Sequence, residues 1–156
     1  MLDIMRVDGS SMAPSFCNGD LTITTSLFER DRLRGRLIVF DLPGSRTMLK
    51  RVVAVGGDSI RIDAGALIRN GAVVTEPYLR CERESNPCMP LVAHDSNETP
   101  AFRVPEGEVF VLGDNRSLST DSRAFGTVSL AMVRAVVLGK LYSGCDGTPA
   151  AKAGKI

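Results

Sequence analysis

Histidine is almost missing from this chain: its 156 residues contain one, His94. A hydrolase built on an imidazole base therefore has a single place to find that base. Neither sign of charge is in excess. With 19 Lys+Arg against 18 Asp+Glu the formal net charge is +1, and no basic stripe runs along the chain, so there is no electrostatic case for nucleic acid. Long apolar runs are absent as well. The best candidate, LAMVRAVVLGKLY from Leu130 to Tyr142, is too short to span a bilayer and is broken by Arg134 and Lys140. The opening residues, MLDIMRVDG, have neither a basic start nor an apolar stretch, which excludes a signal peptide. A protein without an anchor and one whose anchor preceded Met1 both fit this pattern. Cys17, Cys81, Cys88 and Cys145 lack the spacing of a zinc site. Cys81 and Cys88 flank the polar loop ERESNP and either close a small disulfide or stay as free thiols in a reducing compartment. There are no internal repeats and no helical stripe of useful length.

What is present reads as β structure. Hydrophobic residues make up 44% and charged residues 24%, the balance of a globular protein with a core, and the length suits one domain. RLIVFDL (36–42), TMLKRVVAV (47–55), SIRID (59–63), EVFVLGD (108–114) and MVRAVVLGKL (132–141) are rich in β-branched and apolar residues and are punctuated by Gly, Pro and Asp. LIRNGAVV places Asn70-Gly71 between apolar runs, the signature of a hairpin with a type I′ turn. SMAPSFCNGD allows a short helical turn after Ser11. Short strands with frequent turns predict a mainly β fold, a folded-over antiparallel barrel or sandwich. Residues 78–100 are polar and proline-bearing and read as an inserted loop or irregular hairpin within a domain spanning 1–142, with 143–156 a flexible tail.

RVDGSSMAPSFCNGD (6–20) raises the question of a nucleophile, because adjacent serines, Ser10 and Ser11, lie between a glycine and a Met-x-Pro turn. With histidine scarce, the base would be a lysine held uncharged. An ordinary lysine loses its proton about three units above neutral pH, so the fold must disfavour the ammonium by about 4 kcal/mol. Burial against apolar side chains supplies shifts of this size. Lys140, Lys152 and Lys155 have exposed-looking or frayed surroundings. Lys50 sits mid-strand, where alternation puts Met48 and Val52 on its face and Arg51 on the other; it is a candidate for desolvation, or else a snorkelling edge lysine. In VPEGEVFVLGDNRSLSTDSRAFGTV (104–128) a strand gives way to a dense polar turn. Gly113 there permits close backbone approach. Asp121 and Arg123 are placed to pair, which keeps a free carboxylate from raising the lysine pKa, and Ser119 is a hydroxyl able to orient the amine.

Together these segments resemble type I signal peptidases, the Ser-Lys endopeptidases that remove leader peptides from exported proteins. GSSMAPSFCNGD matches the nucleophile box, LKRVVAVGGD the lysine box and GDNRSLSTDSRAFG the last box, in the same order and spacing over roughly residues 5–142, apart from the 78–100 insertion. The resemblance implies Ser11 as nucleophile and Lys50 as general base. It makes Ser119 the orienting hydroxyl, Asp121 with Arg123 a structural ion pair, and Asp114 and Asn115 supports of the turn. The Ser11 backbone N–H becomes an oxyanion donor. Some relatives add a serine hydroxyl two positions before the nucleophile; here that position is Gly9. Losing an oxyanion donor costs about 2.7–4 kcal/mol in other serine proteases.

The chemistry so implied is acyl transfer with no metal or cofactor. Substrates would be signal-peptide-bearing preproteins or leader peptides lying extended beside strands, with small residues at the first and third positions before the cut. Val7, Met12, Phe16, Met48 and Leu49 align with the boxes as pocket residues, or else as ordinary core. The family works at the outer face of the cytoplasmic membrane, and a phospholipid surface is an expected partner. The alternatives are an anchorless enzyme maturing one cytoplasmic protein or peptide, a LexA-like autoproteolytic domain, and an inactive peptide-binding module.

Overall fold

The computed structural model describes residues 1–44, 47–63, 65–79 and 101–144. All of the expected loop at 78–100 but Tyr78 and Leu79, the Cys81/Cys88 pairing and nearly all of the tail fall outside the described residues. Within them the chain is antiparallel β throughout, in two open sheets of seven and four strands. The larger sheet has the order β1 (Leu2–Arg6), β2 (Leu21–Thr25), β11 (Val133–Tyr142), β3 (Leu37–Asp41), β4 (Thr47–Val55), β9 (Glu108–Leu112), β10 (Val128–Ser129). The smaller runs β7 (Ala72–Val73), β6 (Ala66–Arg69), β5 (Ser59–Asp63), β8 (Phe102–Arg103). One short helix, α1 (Ser122–Phe125), follows the polar turn expected after β9.

The β-branched segments became strands because their alternating faces have cores to enter. Ile38, Phe40, Val52, Val109, Val111, Val128 and Val136 pack on Leu33 on one face of the larger sheet. Val39, Ala135 and Val137 meet Val7, Met12 and Phe16 on the other. A third cluster, including Val53, Ala54, Ile60, Leu67, Phe110 and Leu112, welds the smaller sheet to the strands β4 and β9. The β6–β7 connection is the hairpin expected from Asn70-Gly71, with φ of +52° and +81° at the two turn residues. Asparagine and glycine accept that left-handed backbone at low cost, which other residues do not.

One topological feature makes the site. Strand β4 pairs with β3 along its whole first half, Thr47 opposite Asp41 through Arg51 opposite Leu37. Its partnership with β9 begins only at Arg51, opposite Leu112, and continues to Val55. The edge of Thr47–Lys50 on that side is therefore open. The chain leaves β9 at Leu112 and turns through residues 113–121, beside this free edge.

Candidate active site

Loop 7–20 joins β1 to β2 and carries the serine pair. Its ends are zipped: the Val7 N–H donates to Asp20 C=O and the Gly19 N–H to Val7 C=O, both at 2.8 Å. Met12 is 1% exposed and anchors the middle of the loop in the core, while the Phe16 N–H closes a helical turn onto Met12 C=O at 2.8 Å. This is the short turn expected after Ser11. Asp20, fully buried, takes the Cys17 N–H at 2.9 Å and the Gly144 N–H at 2.5 Å, and it pairs with Lys140 at 2.5 Å. Lys140, which looks exposed in sequence, is thus a tie between β11 and the loop, its ammonium 4.9 Å from the Phe16 ring centre. Cys17 is held in a disulfide.

Lys50 meets this loop. It is 3% exposed, and its Nζ lies 2.7 Å from Ser11 Oγ and donates to Leu49 C=O at 3.0 Å. Burial lowers its pKa below the ordinary lysine value, and the charges of Asp121 and Asp114 work in the opposite direction without cancelling the effect. Each of those carboxylates is claimed by an arginine. Asp114 takes Arg51 Nε at 2.8 Å and Nη2 at 2.7 Å. Asp121 takes Arg123 Nε at 2.8 Å and Nη2 at 2.9 Å, and also the Gly113 N–H at 2.9 Å. Burial alone would raise the Asp121 pKa; the bonds from Arg123 and Gly113 override it and hold the carboxyl below its usual range. A bidentate guanidinium satisfies a buried carboxylate geometrically as well as electrostatically.

The polar turn is pinned to the nucleophile loop by its backbone. The Asn115 N–H donates to Ser11 C=O at 3.0 Å, and Asn115 Nδ2 to Ser10 C=O at 3.2 Å. Gly113 has no room for a side chain: a Cβ there would stand 2.1 Å from Ser119 Oγ and 2.6 Å from Ser11 C=O. Ser119 Oγ is buried and helps to hold the Asp121 carboxyl low, without reaching full hydrogen-bond geometry with any described residue. The orienting hydroxyl expected from sequence is thus on the turn, but the Lys50 amine is bonded to Ser11 and Leu49 instead. Below the turn, Arg116 is buried against Glu76, whose other contact is the Tyr78 hydroxyl at 2.6 Å, and the Arg51 guanidinium stacks 3.8 Å from the Tyr78 ring centre.

Ser11 and Lys50 open into a cleft of about 510 Å³. Of the expected pocket residues, Val7, Met12, Met48 and Leu49 line it, whereas Phe16 lies in the core. Sequence reading missed Met5, Thr22, Val39, Leu118 and Thr120 on its walls. Alternation would have reached Met5 and Thr22 had β1 and β2 been recognised as strands. At Gly9 the backbone runs at φ +94°, and a Cβ there would meet nothing within 4 Å. Backbone strain, not crowding, is what disfavours a side-chain donor at this position. Among the described residues no cluster of side chains is arranged to hold a metal, and no helix is long and apolar enough to cross a membrane.

Comparison with known proteins gives a consistent picture. The family described as signal peptidase, peptidase S26, matches residues 1–141. Signal peptidase I of Bacillus caldolyticus is 37% identical over 131 residues, covering 81% of this chain and 72% of that protein. Signal peptidase I V of Bacillus subtilis (strain 168) is 32% identical over 127 residues, covering 79% and 76%. The crystal structure of a signal peptidase I from Enterococcus faecalis V583 matches with a TM-score of 0.51 at 34% sequence identity, covering 66% of this chain and 93% of that one.

Proposed function

Because this chain belongs to the signal peptidase family, peptidase S26, we propose that it is a serine endopeptidase of the Ser-Lys type that removes leader peptides from preproteins. The observation that carries the reading is the 2.7 Å approach of a buried, pKa-lowered Lys50 amine to the Ser11 hydroxyl. Neutral Lys50 takes the Ser11 proton as Oγ attacks the scissile carbonyl, then gives it to the leaving amine. Water hydrolyses the resulting ester by the same route in reverse. The Ser11 N–H faces the developing oxyanion. Ser119, a buried hydroxyl on the same turn, is the group that turns toward the amine during the cycle.

Substrate enters extended along the open edge of Thr47–Lys50, where backbone bonding supplies affinity. Side chains facing the shallow apolar wall of Val7, Met12, Val39 and Leu49 must be small, which supports cleavage after small residues at the first and third positions before the cut. Leu2 and Ile4 on the outermost strand are 63% and 60% exposed, and Leu27 and Leu138 nearby are 77% and 50% exposed. Apolar side chains left bare on this edge of the sheet, away from the cleft itself, support docking on a phospholipid surface.

The test is cleavage of a peptide bearing an Ala-x-Ala junction, with and without phospholipid. The expected result is a cut after the second alanine, stimulation by lipid, and no turnover in Ser11→Ala or Lys50→Ala although both remain folded. Full activity in Lys50→Ala would remove the dyad, and folded wild type that captures such peptides uncut would make the chain a binding module.

A further inference from the structure

We infer that Asn115 is a positioning residue that aims the oxyanion hole, by holding the peptide plane between Ser10 and Ser11. This inference rests on the Ser-Lys reading above. A trans peptide points its C=O and the following N–H to opposite sides, and the Ser10–Ser11 bond is trans. Fixing the Ser10 carbonyl therefore fixes the direction of the Ser11 N–H. That carbonyl is held twice, by Asn115 Nδ2 at 3.2 Å and by the Ala13 N–H at 3.1 Å. The next carbonyl, Ser11 C=O, is held by the Asn115 N–H at 3.0 Å. One residue thus grips the backbone on both sides of the nucleophile. Among the described residues no group accepts the Ser11 N–H, so this donor is left for the substrate.

The grip matters more here than where a second donor shares the task. Gly9 offers no side chain, and its own N–H is committed to Asn18 Oδ1 at 3.0 Å. The Ala13 bond is internal to the nucleophile loop and moves with it. The Asn115 bonds come from the turn after β9, and they refer the peptide on each side of Ser11 to the sheet that carries Lys50.

The experiment compares Asn115→Ala with wild type in three measurements. These are the kinetics of cleavage of the Ala-x-Ala peptide, affinity for the corresponding peptide aldehyde, and affinity for the uncleaved peptide in a Ser11→Ala background. The aldehyde adds to Ser11 Oγ and turns its carbonyl oxygen into the hemiacetal oxygen that occupies the hole. Outright removal of an oxyanion donor costs about 100–1,000-fold in kcat, so misaiming one is expected to cost about 10–100-fold. Affinity for the aldehyde should fall in parallel, with KM, uncleaved-peptide affinity and the midpoint of the pH–rate profile unmoved. Asn115→Ser, which also loses the Nδ2 donor, should repeat the pattern and serves if the alanine variant fails to fold. Kinetics and aldehyde affinity within twofold of wild type would overturn the assignment. So would an equal loss of affinity for the uncleaved peptide, which would make Asn115 a general support of the cleft. A wild-type chain inert to both substrate and aldehyde would overturn the Ser-Lys reading itself, and this inference with it.

Discussion

Arg123 closes on Asp121 through both carboxylate oxygens, Nε to Oδ1 at 2.8 Å and Nη2 to Oδ2 at 2.9 Å, and reaches on to Arg116 C=O at 2.7 Å. Asp121 is fully buried and raises the Lys50 pKa. The pair therefore does two jobs: it staples the polar turn, and it mutes a negative charge that would otherwise hold the lysine protonated. Arg123→Ala exposes both. Leaving a buried carboxylate unpaired is expected to destabilise the fold by about 3 kcal/mol. The amine should also become harder to deprotonate, so the acid limb of kcat/KM moves to higher pH. Denaturant unfolding and a pH–rate profile check the two effects separately.

Gly113 is the narrowest point of the site. Because a Cβ there would overlap Ser119 Oγ and press on Ser11 C=O, Gly113→Ala must push either the turn or the nucleophile loop away. Overpacking of this kind costs about 1–3 kcal/mol. The expected loss of activity is larger than that stability change implies, about 100-fold or more, since a displacement of an ångström at the reacting atoms is enough. Activity measured well below the melting temperature distinguishes displacement from unfolding.

Glu76 and Arg116 form a buried pair, each with 6% of its side chain exposed. Glu76→Ala would strand the Arg116 guanidinium, a loss of about 3–5 kcal/mol. It also frees the Tyr78 hydroxyl, whose pKa is raised by burial and by the Glu76 charge. Thermal melts of Glu76→Ala and Tyr78→Phe test this; the second should be much milder, since the ring stays against Arg51.

Acid should unfold the protein through a small set of carboxylates. In Asp20, Asp58 and Asp121 burial works to raise the pKa, but hydrogen bonds and cationic partners prevail and lower it below 3.8. A carboxyl depressed in the folded state contributes stability that is fully present above its unfolded value and is lost as pH falls through the folded one. Unfolding free energy should accordingly hold level down to about pH 4 and fall below it. Asp58→Asn, which keeps an acceptor for the Val55 N–H but weakens the tie to Arg34, should flatten that fall.

Much of this was legible in the sequence, for identifiable reasons. Strands β3, β4, β5, β9 and β11 follow β-branched runs, and the burial of Lys50 follows from its place in the middle of one of them. Strand β2 hid because its buried side is polar: Thr22 and Thr24 are each 1% exposed, and Thr22 Oγ1 spends its hydroxyl on Gly139 C=O at 2.7 Å. Strand β1 hid because it is the sheet's outer strand and leaves Leu2 and Ile4 bare. The Asp121–Arg123 pair was readable from its short spacing. Arg51–Asp114, Lys140–Asp20 and Glu76–Arg116 were not, because each joins residues distant in sequence through the topology of the sheets.

Catalysis by this dyad requires Lys50 to be an uncharged amine at neutral pH in the folded enzyme. Nitrogen NMR of the lysine side chains across a pH titration, with Lys50→Met identifying the resonance, measures this directly. Lys50 Nζ should titrate well below the other lysines and drop out of the ammonium population first. The acid limb of kcat/KM should share its midpoint. A Lys50 signal that stays an ammonium to the same pH as the other lysines, with activity already full, would contradict the dyad.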